Sequence, residues 1–243
     1  MTALLRSLLT GLADLAYPPR CALCGAALDA GEHAVCAVCA RALPAIRPPR
    51  CPRCARPIRT RDAKDALCGA CRMHPHGPLD RIAAFGEYRD GLRTLIHQLK
   101  YGRRAFLAAP LGTRVAEHGA ALGVFSGADW LAPIPLHWTR ERWRGFNQAR
   151  LLAEQISVVA DVPVMPQGAF RRVRRTTPQV RLNAADRADN IKGAFAVRDA
   201  SQIQNACIVL IDDVLTTAAT AGECARVLRR AGAASVRLLV AAR

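Results

Sequence analysis

Two adjacent carboxylates followed by a threonine-rich stretch are the residues of this sequence best suited to chemistry on a phosphorylated sugar. Asp212 and Asp213 come at the end of an apolar segment that begins at Cys207. The β-branched residues of that segment favour a strand, and a near-continuous apolar run is typical of a parallel strand buried on both faces. In open α/β sheets, ligands bind beyond the carboxyl ends of the strands. We therefore expect the two acids to face a polar ligand such as a ribose diol, directly or through a metal ion.

The residues that follow the acids are suited to a phosphate group. A helix is expected from Ala221 to Ala231, with Gly232 as its stop signal. The hydroxyl groups before this helix, the free N–H groups of its first turn and the positive end of its dipole all favour an anion. The predicted phosphate loop consists of Thr216, Thr217, Ala218, Ala219 and Thr220.

Eight of the ten cysteines form a second group with a defined chemistry. They are arranged in C-x2-C pairs, which are Cys21/Cys24, Cys36/Cys39, Cys51/Cys54 and Cys68/Cys71. One such pair brings two thiolates to an ion, and two pairs complete a tetrahedral site. Eight ligands therefore predict two zinc ions, and both are expected to be structural, because a catalytic zinc keeps an open position. Disulfides are the alternative, but the sequence shows no secretory signal that would favour them.

The spacing leaves open how the pairs combine. Sequential pairing takes one site from the first two pairs and the other from the last two, whereas interleaved pairing fits the same spacing. We favour sequential pairing, because each half then forms a compact ribbon with a proline-rich joint over 44–52 between the halves. Cys207 and Cys224 lie outside the pairs and are expected to be small core residues.

The composition is that of a folded, strongly basic protein. Hydrophobic residues make up 51% of the 243 residues and charged residues 22%, which excludes an intrinsically disordered chain. The net charge of +16 is carried mostly by arginine and indicates a polyanionic partner, such as nucleic acid, a phosphorylated substrate or an anionic membrane surface. Arginines are also frequent between the cysteine pairs, so the ribbons offer either a nucleic-acid surface or a solvated basic linker.

Three regions are expected along the chain. Residues 1–17 carry leucines at helical spacing and predict an amphipathic helix, which either docks on the chain's own surface or contacts a membrane or partner. Residues 18–76 are expected to form the two zinc ribbons, and residues 80–243 an α/β domain. No run is long enough for a transmembrane helix. We expect a cytoplasmic protein, with a peripheral location at the inner membrane as the alternative.

Several strands and helices are expected ahead of the acidic strand. Strands are predicted over 81–88, 129–136 and 162–165, and helices over 91–100 and 145–159. Lys100 ends the first of these helices, and Arg140, Arg142 and Arg144 follow the second strand. Cations beyond a strand end suit a pyrophosphate, although a helix end or a solvated loop has the same appearance in a sequence.

Taken in this order, the motifs resemble those of a ComF-type protein. The matching pieces are YPPRCALCG, the remaining C-x2-C pairs, LIHQLKYGRR, PIPLHWTRERWRGFNQA, RRTTPQVRL, ADRADNIKGAF and LIDDVLTTAAT. The last piece is similar to the signature with which type I phosphoribosyltransferases bind phosphoribosyl pyrophosphate (PRPP). The resemblance implies a double zinc ribbon followed by a type I phosphoribosyltransferase-like α/β domain, in which a parallel sheet is flanked by helices.

The resemblance also implies roles for the residues of the acidic strand and its loop. Asp212 and Asp213 would hold the ribose hydroxyls together with Mg²⁺. Thr216, Thr217 and Thr220 would hold the 5′-phosphate. The cofactors implied are thus two structural zinc ions, and magnesium with PRPP.

Further partners follow from the same resemblance. Lys100 and Arg144 would neutralise the departing pyrophosphate while an unidentified acceptor attacks C1 of the ribose. Members of the family are linked to the handling of single-stranded DNA in natural transformation, which implies DNA and a protein of the competence machinery as partners. The chain lacks the GxxxxGK(S/T) motif, so it is not the ATP-driven translocase of such a system.

One residue departs from the family pattern. Type I phosphoribosyltransferases usually have glycine where Ala218 stands, which lets the backbone approach the phosphate closely or adopt φ > 0. The Cβ of Ala218 hinders that approach, so ligand binding is better supported than turnover. Two functions therefore stay open. One is a phosphoribosyltransferase, and the other is a non-catalytic nucleic-acid-binding protein that uses the pocket as a phosphate-binding or regulatory site.

Overall fold

The computed structural model describes residues 18–29, 31–58, 67–73, 77–176, 190–216 and 218–243. The predicted helix over 1–17 lies outside these residues, as do Thr217 and the segment 177–189. Among the described residues, no helix is long and apolar enough to cross a membrane.

Four of the described strands form a parallel sheet at the centre of the molecule. The strands are β1 (Arg81–Gly86), β2 (Trp130–Pro133), β3 (Phe170–Arg172), β4 (Phe195–Val197), β5 (Cys207–Val214) and β6 (Ser235–Ala242). The order in the parallel sheet is β1-β6-β5-β2, which places the two longest strands in the middle. The residues of β5 and β6 are mostly buried on both faces, as expected for the centre of a parallel sheet. The predicted α/β class is confirmed.

Helices cover both faces of this sheet. Those described over their full length are α1 (Ala37–Arg41), α2 (Gly69–Met73), α3 (Asp90–Tyr101), α4 (Ala108–Ala121), α5 (Trp138–Arg144), α6 (Gln148–Ala160) and α7 (Ala219–Arg230). Val209 and Ile211 of β5 are buried among the apolar residues of α3, α4 and α6. Ile208 and Leu210, which alternate with them, are buried among those of α7. The strand therefore serves two cores, which explains its nearly continuous apolar sequence.

A short antiparallel ribbon of β3 and β4 lies on the α7 side. Phe170 pairs with Val197, and Arg172 pairs with Phe195. Phe170 and Phe195 are buried in the same cluster as α7, with ring centroids 5.8 Å apart. Strands of three residues are too short to show a period in a sequence, and the sequence does not predict them.

The strand predicted over 162–165 is reduced to a single bridge. Val164 pairs with Leu131 of β2 in parallel orientation, but no ladder continues from it. The reason is that Pro163 and Pro166 carry no N–H groups to extend the pairing. The second predicted strand is likewise shorter than expected, since β2 ends at Pro133.

The arginines that follow β2 lie on a helix rather than in a loop. His137 caps α5 by accepting a hydrogen bond from the Thr139 N–H, and Gly145 ends the helix in the left-handed region at φ 89°. The next helix, α6, begins three residues later than predicted and is capped by the side chain of Asn147. The short helix α5 therefore separates the end of β2 from α6.

The cysteine-rich segment packs against the outer edge of β1. Ala45 forms an antiparallel bridge with Gly86, and the Ile46 N–H donates to the Phe85 carbonyl at 2.8 Å. Farther along, the Ile82 N–H donates to the carbonyl of Arg53 at 2.7 Å. The edge of the sheet is thus covered by backbone from the cysteine-rich segment. The boundary predicted between 76 and 80 stays a prediction.

Candidate functional site

The cysteines form two clusters of four, in sequential pairing. One cluster is Cys21, Cys24, Cys36 and Cys39, and the other is Cys51, Cys54, Cys68 and Cys71. Within each cluster the Sγ atoms all lie within 4.8 Å of one another. Four thiolates at this separation suit a tetrahedral zinc ion. The prediction of two four-cysteine sites is confirmed, and the interleaved alternative is wrong.

The two clusters repeat the same local geometry. The Cys36 N–H donates to the Cys21 Sγ at 3.4 Å, and the Cys68 N–H donates to the Cys51 Sγ at 3.4 Å. Backbone N–H groups that point at a cysteine sulfur stabilise its thiolate form, which is the form that ligates zinc. The residues thus fit two structural zinc ions, one in each ribbon.

The paired acids lie at the carboxyl end of β5, as predicted. Asp213 is buried, with 3% of its surface exposed, and its Oδ1 lies 2.8 Å from the Nζ of Lys100. The second carboxylate oxygen of Asp213 is also buried and has no hydrogen-bond partner among the described residues. A buried carboxylate oxygen without a donor is costly unless a ligand or cation satisfies it. Asp213 is therefore only half satisfied by Lys100.

Asp212 precedes Asp213 in β5, and its pKa is shifted from the ordinary value. Its Oδ1 accepts a hydrogen bond from the Asp213 N–H at 2.8 Å. Burial, followed by repulsion from Asp213, raises the pKa of Asp212 to about 7. Burial alone would lower the pKa of Lys100, but attraction to Asp213 and Asp212 raises it above its ordinary value. The lysine is therefore charged at neutral pH, whereas Asp212 titrates there.

A cavity of about 540 Å³ opens over the two acids; we call it the acid cavity. Six residues predicted from the sequence line it, namely Lys100, Arg144, Asp212, Asp213, Thr216 and Thr220. The chain thus brings together residues from α3, α5, β5 and the start of α7. Thr217 lies outside the described residues, and Ala218 and Ala219 are not among the residues that line the cavity.

Arg144 is held at the mouth of the acid cavity by its neighbours. Its guanidinium carbon lies 5.4 Å from the centroid of the Tyr101 ring, and its NH1 group donates to Gln148. The Nε atom is buried and has no partner among the described residues. Burial lowers the pKa of Arg144 below its ordinary value, and the nearby Asp213 opposes that change. The guanidinium therefore keeps donors available for an anion.

The loop between β5 and α7 contains a residue with a left-handed backbone conformation. Ala218 is in the left-handed region, with φ 59° and ψ 3°, and α7 begins directly after it. Ala218, the N-cap residue, has no side chain that could accept a hydrogen bond from the first turn of α7, and the positive end of the helix dipole lies at this turn. Gly232 follows the helix with φ 100°, in agreement with the predicted stop. Alanine thus occupies a backbone conformation that favours glycine.

Several lining residues were not predicted from the sequence. They are Tyr88, Tyr101, Trp143 and Arg172. Arg172 comes from β3 and reaches the acid cavity from the ribbon on the α7 side. It belongs to a run of arginines over 171–175, which was the available signal. The sequence does not show which arginine of that run points inward, because the pairing with β4 decides it.

Comparison with known proteins identifies the family to which the chain belongs. The family model described as "Double zinc ribbon domain" matches residues 12–72. The DNA utilization protein YhgH of Salmonella typhi is 35% identical over 175 residues, which cover 70% of this chain and 75% of that protein. Competence protein F of Haemophilus influenzae is 29% identical over 178 residues, which cover 70% of this chain and 76% of that protein. The chain belongs to the ComF family.

Some solved structures are similar to this ComF-family chain. One is glutamine PRPP amidotransferase from B. subtilis, solved in complex with ADP and GMP. The two chains are 16% identical and superpose with a TM-score of 0.38 over 57% of this chain. The ComF-family chain spans 26% of the length of that enzyme chain.

Proposed function

We propose that this ComF-family protein binds PRPP together with Mg²⁺ in the acid cavity. The observation that carries the proposal is that six residues chosen from the sequence, which come from distant parts of the chain, line this one cavity. They bring two carboxylates, two cations and two hydroxyl groups to a single surface. PRPP offers a matching set of groups, which are a diol, a phosphate and a pyrophosphate.

The ribose and the metal ion would be held by the paired acids. Asp212 and Asp213 accept hydrogen bonds from vicinal hydroxyls, and the unpartnered Asp213 oxygen is suited to a hydroxyl or a hard cation. Mg²⁺, when bound, would neutralise part of the pyrophosphate charge. The residues present therefore fit a magnesium–PRPP complex.

The 5′-phosphate would be held by the loop after β5. Thr216 and Thr220 line the acid cavity, and α7 begins at Ala219, directly beside them. The positive end of the helix dipole adds to the attraction. The same loop contains Thr217 and Ala219, to which we assign a part in this binding.

The pyrophosphate would lie against Lys100 and Arg144. Lys100 is paired with Asp213 in the absence of ligand, and a bound pyrophosphate would offer it additional negative charge. If the protein transfers the phosphoribosyl group, these two cations stabilise the charge that builds up on the leaving pyrophosphate. The rate enhancement would come mainly from positioning and electrostatics.

Calorimetry tests the binding proposal. Wild type titrated with PRPP in the presence of Mg²⁺ is expected to release or absorb heat, and Asp213→Asn and Asp212→Asn are each expected to bind at least about 10-fold more weakly. Asp161→Asn is a matched control, because Asp161 is exposed at the end of α6 and away from the lining. Absence of heat with the folded wild type would refute the proposal. A screen of bases and nucleotides for PRPP-dependent pyrophosphate release then tests turnover.

A second candidate function is the handling of single-stranded DNA. The observation that favours it is a set of exposed aromatic side chains in and next to the arginine-containing helix α5. Tyr101, Trp138 and Trp143 are 55%, 65% and 65% exposed. Aromatic faces interleaved with cations are typical of surfaces that bind single strands. The ribbons, by contrast, have no aromatic residue among their described residues 18–58 and 67–73.

Salt dependence tests this candidate. The logarithm of the affinity for an oligo(dT) strand is expected to fall linearly with the logarithm of salt concentration, with a slope set by the number of phosphates contacted. A slope near zero would remove an electrostatic role in DNA binding. This second proposal includes a protein of the competence machinery as a partner. It also includes a cytoplasmic location, with or without a peripheral contact at the inner membrane.

A further inference from the structure

Arg172 lies where three cavities meet. It lines the acid cavity, a cavity of about 590 Å³ that we call the tryptophan cavity, and a cavity of about 240 Å³ that we call the arginine cavity. The tryptophan cavity is defined by Trp138, Met165, Gln167, Phe170, Arg172 and Val173. The arginine cavity is defined by His137, Thr139, Arg140, Arg172, Arg175 and Thr176. PRPP binding in the acid cavity leaves both neighbouring cavities without an assigned ligand.

The arginine cavity has the chemistry of an anion site. Arg140, Arg172 and Arg175 line it, together with the hydroxyl groups of Thr139 and Thr176. No carboxylate is among the described residues that line it. Three guanidinium groups with no carboxylate among the described lining residues fit a phosphate, whereas the Thr139 hydroxyl is already paired with His137 Nδ1 at 2.8 Å.

Two details indicate that this positive charge is only partly compensated, although Asp212 acts on Arg172 and the NH2 group of Arg172 donates to Thr176. The Nε atom of Arg172 is buried and has no hydrogen-bond partner among the described residues. Burial, followed by the nearby Arg172 and Arg175, lowers the pKa of His137 below its ordinary value, so that its imidazole is neutral at neutral pH. The arginines of this site would therefore bind the anion, while His137 caps α5.

The tryptophan cavity is suited to a planar ring. Trp138 presents 65% of its surface to solvent at one wall, while Met165 and Phe170 are buried and form an apolar floor. Gln167 and Glu141 also line this cavity and offer a donor and an acceptor to the edge of a ring. The volume of about 590 Å³ lies within the range of small-molecule pockets. An exposed indole over an apolar floor is a stacking platform for a nucleobase.

We propose that the tryptophan and arginine cavities together form a nucleotide-binding site next to the acid cavity. The base would stack on Trp138, and the phosphate would bind Arg140, Arg172 and Arg175. Arg172 lines both cavities, so base and phosphate would both lie next to its side chain. This chemistry is offered by a free nucleoside monophosphate and by one nucleotide unit of a single strand. The site does not require PRPP to bind, and it extends the nucleic-acid candidate function by naming the residues that take one nucleotide.

The binding of two probes tests this inference. AMP and a fluorescently labelled single-stranded DNA 10-mer are titrated into the full chain at fixed low salt, and an abasic strand of equal length is titrated beside them. Trp138→Ala is expected to weaken binding of the base-containing probe about 5- to 100-fold, because stacking on an aromatic ring contributes about 1–3 kcal/mol per base. Phe106→Ala is the matched control, since Phe106 is 59% exposed and lines none of the three cavities.

The phosphate half is tested by a second matched pair. Arg175→Gln is expected to weaken both probes and the abasic strand by more than about 5-fold. Arg142→Gln removes an equally exposed arginine of α5 that lines none of the cavities, and it is expected to leave AMP binding within about 2-fold of wild type.

The two probes distinguish a free nucleotide from a nucleotide within a single strand. Binding of AMP that depends on Trp138 supports a free nucleotide as ligand, and binding of the strand alone with the same dependence supports a strand. Equal effects of Trp138→Ala and Phe106→Ala overturn the base site, and equal effects of Arg175→Gln and Arg142→Gln overturn the phosphate site. Failure of both probes to bind overturns the inference as a whole. Asp213→Asn keeps this result distinct from the PRPP proposal, because it removes PRPP binding and leaves Trp138-dependent binding in place.

Discussion

Lys100 and Asp213 form an ion pair of 2.8 Å in which both side chains are largely removed from solvent. The pair joins the end of α3 to the end of β5, so it connects two of the elements that build the acid cavity. A buried pair of this kind is costly to break, because the partner left behind is an uncompensated charge. The pair therefore sets the charge balance of the acid cavity before any ligand arrives.

Removal of the lysine alone is expected to destabilise the protein more than removal of both charges. Lys100→Met should lower the free energy of unfolding by about 3–5 kcal/mol, because Asp213 then stays buried without a partner. Lys100→Met combined with Asp213→Asn should recover most of that loss. Urea unfolding of the two single variants and the double variant checks this. A double variant that is as unstable as the sum of the singles would show that the pair is not coupled.

The affinity for PRPP with Mg²⁺ is expected to rise with pH around neutrality. The pKa of Asp212 is raised to about 7, so a proton occupies this carboxyl group below that pH and removes one acceptor for the ribose hydroxyls. Binding should therefore tighten between pH 6 and pH 8 and should release a proton. Calorimetry in buffers of different ionisation enthalpy measures that release. Asp212→Asn should abolish the pH dependence, and an unchanged profile in this variant would contradict the assignment.

The stability of the protein without ligand is expected to change with pH in the opposite direction. Because the folded-state pKa of Asp212 lies above the ordinary value of 3.8, folding favours the protonated form. This contribution to stability is fully present below the ordinary pKa and is lost as the pH rises through about 7. The melting temperature of wild type should fall between pH 5 and pH 8 by more than that of Asp212→Asn. Thermal unfolding scans without magnesium measure the difference, and parallel curves would contradict it.

Replacement of Ala218 by glycine is expected to improve phosphate binding. Ala218 has φ 59°, and a left-handed residue other than glycine costs about 1–2 kcal/mol. Ala218→Gly should raise stability by up to about 1 kcal/mol after the entropy of glycine is included. It should also tighten binding of inorganic phosphate, since the Cβ no longer limits the approach of the anion. Ala34, with φ 66° in the first ribbon, is a matched control. Ala34→Gly should change stability in the same direction and leave phosphate binding unchanged.

Each cysteine cluster is expected to bind its zinc ion independently. Cys51→Ser and Cys21→Ser should each lower the zinc content by about one ion per chain, because a thiolate is lost from a different four-cysteine site in each case. The double variant should retain no stoichiometric zinc. Elemental analysis by mass spectrometry counts the ions. A loss of both ions from either single variant would show that the two ribbons are coupled.

The secondary-structure elements that carry several candidate residues could be predicted from local sequence. The apolar run that ends at Asp212 and Asp213 predicts a buried parallel strand, because a strand covered on both faces, as β5 is, needs apolar residues on both. The equal local geometry of the two ribbons likewise follows from the repeated C-x2-C spacing. Lys100 could be placed at a helix end from the pattern of its leucines, which are buried in α3.

The residues that the sequence did not reveal reach the site through pairing between distant segments. Arg172 is oriented by its pairing with Phe195, which lies far along the chain. The sequence allowed the segment with the α5 arginines to be a loop, because the prolines before it obscure where the helix begins. The tryptophan cavity needs β2, the bridge residue Val164 and the ribbon of β3 together. No window of the sequence contains that combination.

The backbone of the cysteine-rich segment that lies along β1 has a consequence for the solubility of the protein. β1 is the last strand on one side of the parallel sheet, and an uncovered strand edge is a template for pairing with other chains. Here that edge is occupied by the Ile46 N–H and the Arg53 carbonyl, whose segments are held in place by the cysteine clusters. Chelation of zinc would free the edge and promote self-association. The ribbons thus occupy a strand edge that would otherwise be open to pairing with other chains.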